Sequence, residues 1–200
     1  MIVCETPRLR LRRLVPQDAA FILELLNEPD FIRNIGDREV RTLEDARRYI
    51  LTGPVASYES HGFGLYLTEL KESGTPIGIC GLLKRDYLDD VDVGFALRET
   101  FRGAGYAYEA AEAAIRHGQE VLGLGRIVAI TSPDNHASMK VLQRLGLQFE
   151  RMIRIPGQER DTRLLTPGGT KLALTSVRPD GEQSDEEAAA GGSKVHPSQG

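Results

Sequence analysis

The chain of 200 residues is poor in cysteine, with only Cys4 and Cys80. Two thiols so far apart make neither a disulfide framework nor a zinc site. Cys80 lies inside the apolar run IGICGLL, so a buried structural thiol is expected there rather than a nucleophile. Long apolar runs are also missing: none approaches the roughly 18 residues that span a bilayer. The opening MIVCETPRLRLRRL lacks the basic-then-apolar order of a secretory leader. These absences predict a soluble protein of a reducing cytoplasm, without a membrane partner. The four histidines, at 61, 117, 136 and 196, form no H-E-x-x-H pattern and pair with no Ser/Asp set, so no metal is expected.

Charge of one sign is scarce in the body. The formal net charge is −4. Residues 178 to 200 hold Asp180, Glu182, Asp185, Glu186 and Glu187 against Arg178 and Lys194, so the body is left near neutral. With no aromatic stacking platform either, binding to nucleic acid is not expected. What is present suits one core: 40% of residues are hydrophobic, and no internal repeat is seen. The end of the chain is Gly, Ser, Ala, Glu and Pro with almost no bulky apolar residue. Such a segment cannot bury enough to fold. We therefore expect a folded domain over 1–178 and a disordered tail over 179–200.

Apolar periodicity supplies the elements. PRLRLRRL alternates, with Leu9 and Leu11 on one face and arginines on the other, as a half-buried strand does. Those arginines suit an anionic partner or a plain solvated face. PQDAAFILELLN and TLEDARRYIL read as helices, the second with Thr42 and Asp45 in capping-box order. Pro29 ends the first helix or follows its end, and FIRNIGDREVR reads as a loop. GFGLYLTEL, IGICGLL and DVDVGFAL are strands, EAAEAAIRHGQEVLG a helix with a small-residue stripe, and RIVAITS a buried strand. NHASMKVLQRLG is a helix stopped by Gly146, and QFERMIRI and KLALTSV are late strands. This order predicts mixed α/β with a β-α-β crossover around a glycine turn.

That turn is RGAGYA, residues 102 to 107. Two glycines before a helix cost backbone entropy, so they call for a reason. A helix start carries unpaired N–H groups and the positive end of the dipole, and glycines let a phosphate approach them closely. A tight β-to-α turn with no ligand is the bland alternative. No Gly-Lys-Ser/Thr tripeptide occurs, and Tyr108 stands where a dinucleotide fingerprint needs its third glycine.

Arg102-x-x-Gly105-x-Ala107 resembles the R/Q-x-x-G-x-G/A motif of the GNAT acetyltransferases. SPDNHASMKVLQRLGLQFE resembles that family's second motif, with Asn135 and Ser138 at N-x-x-S ahead of a helix ending in Leu-Gly. ETPRLRLRRLVPQDA resembles the start of the subgroup of ribosomal-protein N-acetyltransferases. The three segments follow one another in family order over roughly residues 5 to 177.

The resemblance implies a mixed, mostly antiparallel sheet with one splayed parallel strand pair, flanked by helices. It implies transfer of an acetyl group from acetyl-CoA, as cosubstrate, to a neutral primary amine by direct attack in a ternary complex. The acceptor would be a peptide N-terminus or a small amine. Arg102, Gly103, Ala104, Gly105, Tyr106 and Ala107 would cradle the pyrophosphate, with Arg102 adding a fixed positive charge. Phe95, Ala96 and Leu97 would offer main-chain groups to the pantetheine arm and the oxyanion. Asn135 would lie near the thioester, unless it is an ordinary helix cap. Ser138 would be the acid for the departing thiolate, unless it is a capping serine; many relatives use a tyrosine there, and none follows Ser138 in this chain. Asp92 would be the base, through water, unless it is a surface aspartate. Lys140 or Arg144 could meet the ribose phosphate. Residues 28 to 48 and PGQERDTRLLTPGG, both loop-like, would shape the acceptor site. Two other readings remain: a catalytically weak acyl-CoA-binding module, and, less well supported, a nucleic-acid binder using the first arginines. The chain is expected as a monomer or homodimer.

Overall fold

The computed structural model describes residues 1–158 and 160–168. Two short strands, β1 (Ile2–Glu5) and β2 (Leu9–Arg13), lead into α1 (Ala19–Leu26), α2 (Pro29–Ile35), α3 (Leu43–Ile50) and α4 (Ala56–His61). Strands β3 (Leu65–Leu70), β4 (Pro76–Leu83) and β5 (Val91–Leu97) precede α5 (Tyr106–Glu120). Then come β6 (Ile127–Thr131), α6 (His136–Arg144), β7 (Leu147–Arg154) and β8 (Asp161–Pro167). The eight strands lie in the order β1-β2-β3-β4-β5-β6-β8-β7. Every neighbouring pair is antiparallel except β5–β6. This is the mixed, mostly antiparallel sheet with one parallel pair.

Two apolar layers flank the sheet, because strand side chains alternate between faces. Leu9, Leu11, Tyr66, Val93 and Leu97 pack with Ala110, Ala111 and Ala114 of α5 and with Met139 and Leu142 of α6. Leu67 and Ile79 pack on the other face with Ile22 and Leu25 of α1 and Ala46 and Ile50 of α3. Fully burying one such leucine or isoleucine contributes about 1.5–3 kcal/mol. The alanines of α5 let that helix lie close to β4 and β5; a larger side chain at Ala114, which is 1% exposed, would overpack by about 1–3 kcal/mol.

Local chemistry explains the helix starts. Thr42 Oγ1 accepts from Asp45 N–H (3.1 Å) while Asp45 Oδ2 accepts from Thr42 N–H (3.0 Å), the capping box read from the sequence. Pro29 follows the end of α1, as expected, and also opens α2, where its missing N–H costs nothing. Residues 31–35, expected as the start of a loop, are therefore helix. Between α3 and α4 the chain makes one π-type turn, Leu51–Val55, containing Pro54. Half of the segment expected as the loop PGQERDTRLLTPGG is strand β8, with Thr162, Leu164, Leu165 and Thr166 buried. KLALTSV and the segment 179–200 lie outside the described residues. Among the described residues, no helix is long and apolar enough to cross a membrane.

Candidate active site

The site begins where the parallel pair comes apart. β5 and β6 are in register only at Val91↔Ile127 and Asp92↔Val128. Beyond that, β6 continues on β8 while β5 continues on β4, so the edge of β5 from Val93 to Leu97 faces a V-shaped slot. Main-chain groups alternate along a strand. Arg98 N–H donates to Ile77 O on β4 (2.9 Å), so the N–H groups of Phe95 and Leu97 point the other way, into the slot. Ala96 turns its N–H toward β4 and packs its methyl group against the α1–α3 layer. Of the three residues expected to offer amides, two are placed to do so.

The glycine turn closes the wide end of the slot. Gly103 and Gly105 have φ of +80° and +83°. Gly105 is the N-cap of α5, and no side chain caps the helix there. An ordinary N-cap is Ser, Thr, Asp or Asn in extended conformation. Here the left-handed glycine leaves the first N–H groups of a 15-residue helix open to an anion. Tyr106 and Ala107 occupy the first two helical positions and pack partly against the core.

Arg102 does not supply a free charge. Its Nη2 pairs with Glu28 (2.6 Å), its Nη1 with Asp30, and its Nε donates to Leu97 O (2.9 Å). Glu28 also accepts from Glu99 N–H, and Arg98 pairs with Glu24. The α1–α2 corner thus consumes the positive charge that the motif alone suggested for the anion. A different arginine, Arg8 at the entrance to β2, stands over the turn. It stacks on the Tyr106 ring with its guanidinium carbon 4.4 Å from the centroid, and Nη1 donates to Ala104 O (3.0 Å). Its Nε and Nη2 both bond Glu109 Oε2, at 2.7 and 2.6 Å. Thr6 Oγ1 donates to the other Glu109 oxygen (2.5 Å). Partial burial of Glu109 works against ionisation, but the Thr6 and Arg8 hydrogen bonds outweigh it and hold the carboxyl below the usual glutamate range.

Asn135 is the cap of α6: its Oδ1 accepts from Ser138 N–H (3.0 Å). Ser138 itself caps nothing, and its half-buried hydroxyl has no hydrogen-bond partner among the described residues. Asp92 is not a surface aspartate, being only 1% exposed. It shares a strand face with Gly94 and Ala96, opposite α5, and pairs with Arg85 Nε at 2.7 Å. Burial pushes the Asp92 carboxyl above the usual aspartate range, and Arg85 pulls against that shift without reversing it. Arg85 in turn donates to the Tyr87 hydroxyl (3.1 Å). Arg144 stacks on Tyr108 at 4.1 Å, and Lys140 is exposed.

Residues 8–148 match the Acetyltransferase (GNAT) domain. The chain belongs to the GNAT acetyltransferase family. It is 29% identical over 154 residues to the uncharacterized N-acetyltransferase YoaA of Bacillus subtilis, covering 76% of this chain and 86% of that protein. It is 33% identical over 117 residues to the ribosomal protein uS5-alanine N-acetyltransferase of Escherichia coli, covering 54% of this chain and 59% of that one. The fold is shared with RimL, the ribosomal L7/L12 alpha-N-protein acetyltransferase in complex with coenzyme A, at a TM-score of 0.71 and 18% identity over 83% of this chain and 97% of that one. As a GNAT enzyme the chain is an N-acetyltransferase. Its splayed strands and uncapped, glycine-opened helix start suit the long thioester arm and diphosphate of the family's acetyl donor. Thr6, Glu109 and Arg85 carry no sequence signal, and Arg8 stands out only as one of three strand arginines suited to an anionic partner or a solvated face; a long-range ion pair such as Arg8–Glu109, 101 residues apart, leaves no local periodic mark.

Proposed function

We propose that this GNAT enzyme moves the acetyl group of acetyl-CoA to a primary amine, on a peptide N-terminus or a small amine, by direct attack in a ternary complex. The observation that carries this reading is the parting of β5 from β6 beside the uncapped first turn of α5. One gap offers outward amides at Phe95 and Leu97, and the other offers helix N–H groups for a diphosphate. The open Gly103–Ala107 turn and the main chain of Phe95–Leu97 hold the donor, and Asn135 fixes the start of α6 beside it. The amine nitrogen attacks the thioester carbon, the C–S bond breaks, and the amine gives up a proton. Asp92 takes that proton through water, its raised pKa bringing it nearer the optimum for a base at neutral pH. Ser138 Oγ donates a hydrogen bond to the thiolate as charge builds on sulfur. That relatives are named for ribosomal-protein N-termini favours a peptide acceptor here.

Asp92 is also locked to Arg85, which favours the second reading, a catalytically weak acyl-CoA-binding module. Mass spectrometry of the full chain incubated with acetyl-CoA, peptides beginning in Ala or Ser, and a polyamine separates the two. Acetylated amine and free CoA thiol in equal amounts support the enzyme; donor binding without either product supports the module.

A further inference from the structure

An anion cradle built from main chain needs its N–H groups turned inward and its carbonyls turned away. The slot edge of β5 and the turn also present carbonyls, whose negative dipole ends oppose an anion, and two of these are held by side chains. One is Leu97 O, on the slot edge of β5, since its N–H and C=O share one direction. The other is Ala104 O, in the turn itself. Each is bonded by an arginine: Leu97 O by Arg102 Nε (2.9 Å) and Ala104 O by Arg8 Nη1 (3.0 Å). The Arg102 tether is anchored in α2 through Glu28 and Asp30. The Arg8 tether is anchored in α5 itself, through Glu109 one turn beyond Gly105, with Thr6 fixing the second carboxylate oxygen. Arg8 also lies over the ring of Tyr106, the first helical residue, and its Nη2 is 3.5 Å from where a Cβ on Gly105 would stand. It touches the turn before the helix, the first residue of the helix and the end of its first turn.

We propose that Arg8, braced by Glu109 and Thr6, is the positioning residue of the diphosphate cradle, making recognition of the nucleotide half of the donor depend on the first arginine of the chain. This rests on the reading of the glycine turn as the diphosphate site. Arg8 acts by geometry rather than by net charge, because Glu109 neutralises it. Its planar fork bridges Ala104 O and Glu109 while stacking on Tyr106, which a lysine cannot do. The nucleotide-free pantetheine arm, lying along β5, does not depend on it.

The test uses the full chain with two probes, CoA for binding and the acetyl donor S-acetylpantetheine for turnover, the second lacking the diphosphate and nucleotide. For Arg8→Gln, CoA affinity by calorimetry is expected to fall about tenfold or more, the scale of a lost hydrogen bond to a charged group. The rate constant kcat/KM with S-acetylpantetheine is expected to stay within twofold. Arg8→Lys, which keeps the charge, is expected to fail like Arg8→Gln, and Glu109→Gln to shift CoA in the same direction, with the double variant no worse than the worse single one. Unchanged CoA affinity in folded Arg8→Gln overturns the proposal. Rescue by lysine also overturns it, since charge alone would then suffice. Equal losses for both probes, with a lowered Tm, reduce Arg8 to general stability and overturn it as well. If the natural chain binds no CoA, the diphosphate reading itself fails and takes this proposal with it.

Discussion

Gly105→Ala isolates the role of the left-handed N-cap. The glycine has φ +83°, where an L-residue pays about 1–2 kcal/mol for its Cβ. Inside the protein the added methyl meets only Arg8 Nη2, at 3.5 Å, an ordinary contact. Backbone strain is thus the whole stability cost. At about 2–4 °C per kcal/mol for a chain of this size, Tm should drop by about 2–8 °C. The methyl group also stands at the mouth of the cradle, where a phosphate must come within hydrogen-bond distance of the helix N–H groups. Losing one charge-assisted bond there weakens CoA about ten- to a hundredfold. Gly123→Ala is the matched control. Gly123 has φ +69°, an added Cβ would meet nothing within 4 Å, and it follows the far end of α5. It should show a similar Tm loss and unaltered CoA affinity. Thermal melts and calorimetric titration with CoA on both variants decide the matter. If the two behave alike toward CoA, Gly105 only permits a tight turn, and the cradle reading of this site is wrong.

Asp92→Asn is expected to lower kcat by about 10²–10⁴-fold with CoA affinity unchanged. In the natural chain, kcat/KM for the acceptor should rise with pH through a carboxyl pKa above the usual aspartate range, because a base works deprotonated, and that limb should vanish in the variant. Ser138→Ala is expected to cut kcat about ten- to a thousandfold while Tm and CoA affinity stay put, since Asn135 and not Ser138 caps α6; normal kcat retires the serine from the mechanism. Removal of residues 182 to 200, a segment nearly without bulky apolar side chains, should leave both Tm and turnover unchanged, and a lower Tm would show that the segment docks.

The elements with a clean period were legible. Leu9 and Leu11 alternate with arginines, the alanines of α5 recur at helical spacing, and Thr42 and Asp45 carry the capping box. Two segments were misread for physical reasons. The start of FIRNIGDREVR reads as loop because Pro29 follows the end of α1, yet proline is also favoured at a first turn, where no N–H is needed, and here it opens α2. β8 is hard to read because Asp161, Arg163 and Pro167 suggest a loop, while the buried Thr162, Leu164, Leu165 and Thr166 mix polar with apolar side chains and do not alternate cleanly. A strand inserted between β6 and β7 is held by two ladders as well as by Leu164 and Leu165, and ladders leave no compositional trace.

The site shows the same division between local and long-range signals. Gly103, Gly105 and Asn135 could be picked out because each does its work within one turn of its own backbone. The arginines could not be assigned, because the role of a guanidinium is set by whichever carboxylate the fold brings to it. Arg102, within the glycine motif, is paired with Glu28 and Asp30, more than 70 residues away in sequence. Arg8, on a strand face that a solvated role would have satisfied, is carried to the helix start by pairing with Glu109. Both are neutralised by those partners, so neither offers a net positive charge to an anion. Under the proposed reading, the attraction for a diphosphate at this turn would come from the open N–H groups and dipole of α5. On that proposal the arginines would matter for the carbonyls they bond, those of Leu97 and Ala104, and a charge-conserving substitution at either would not be conservative.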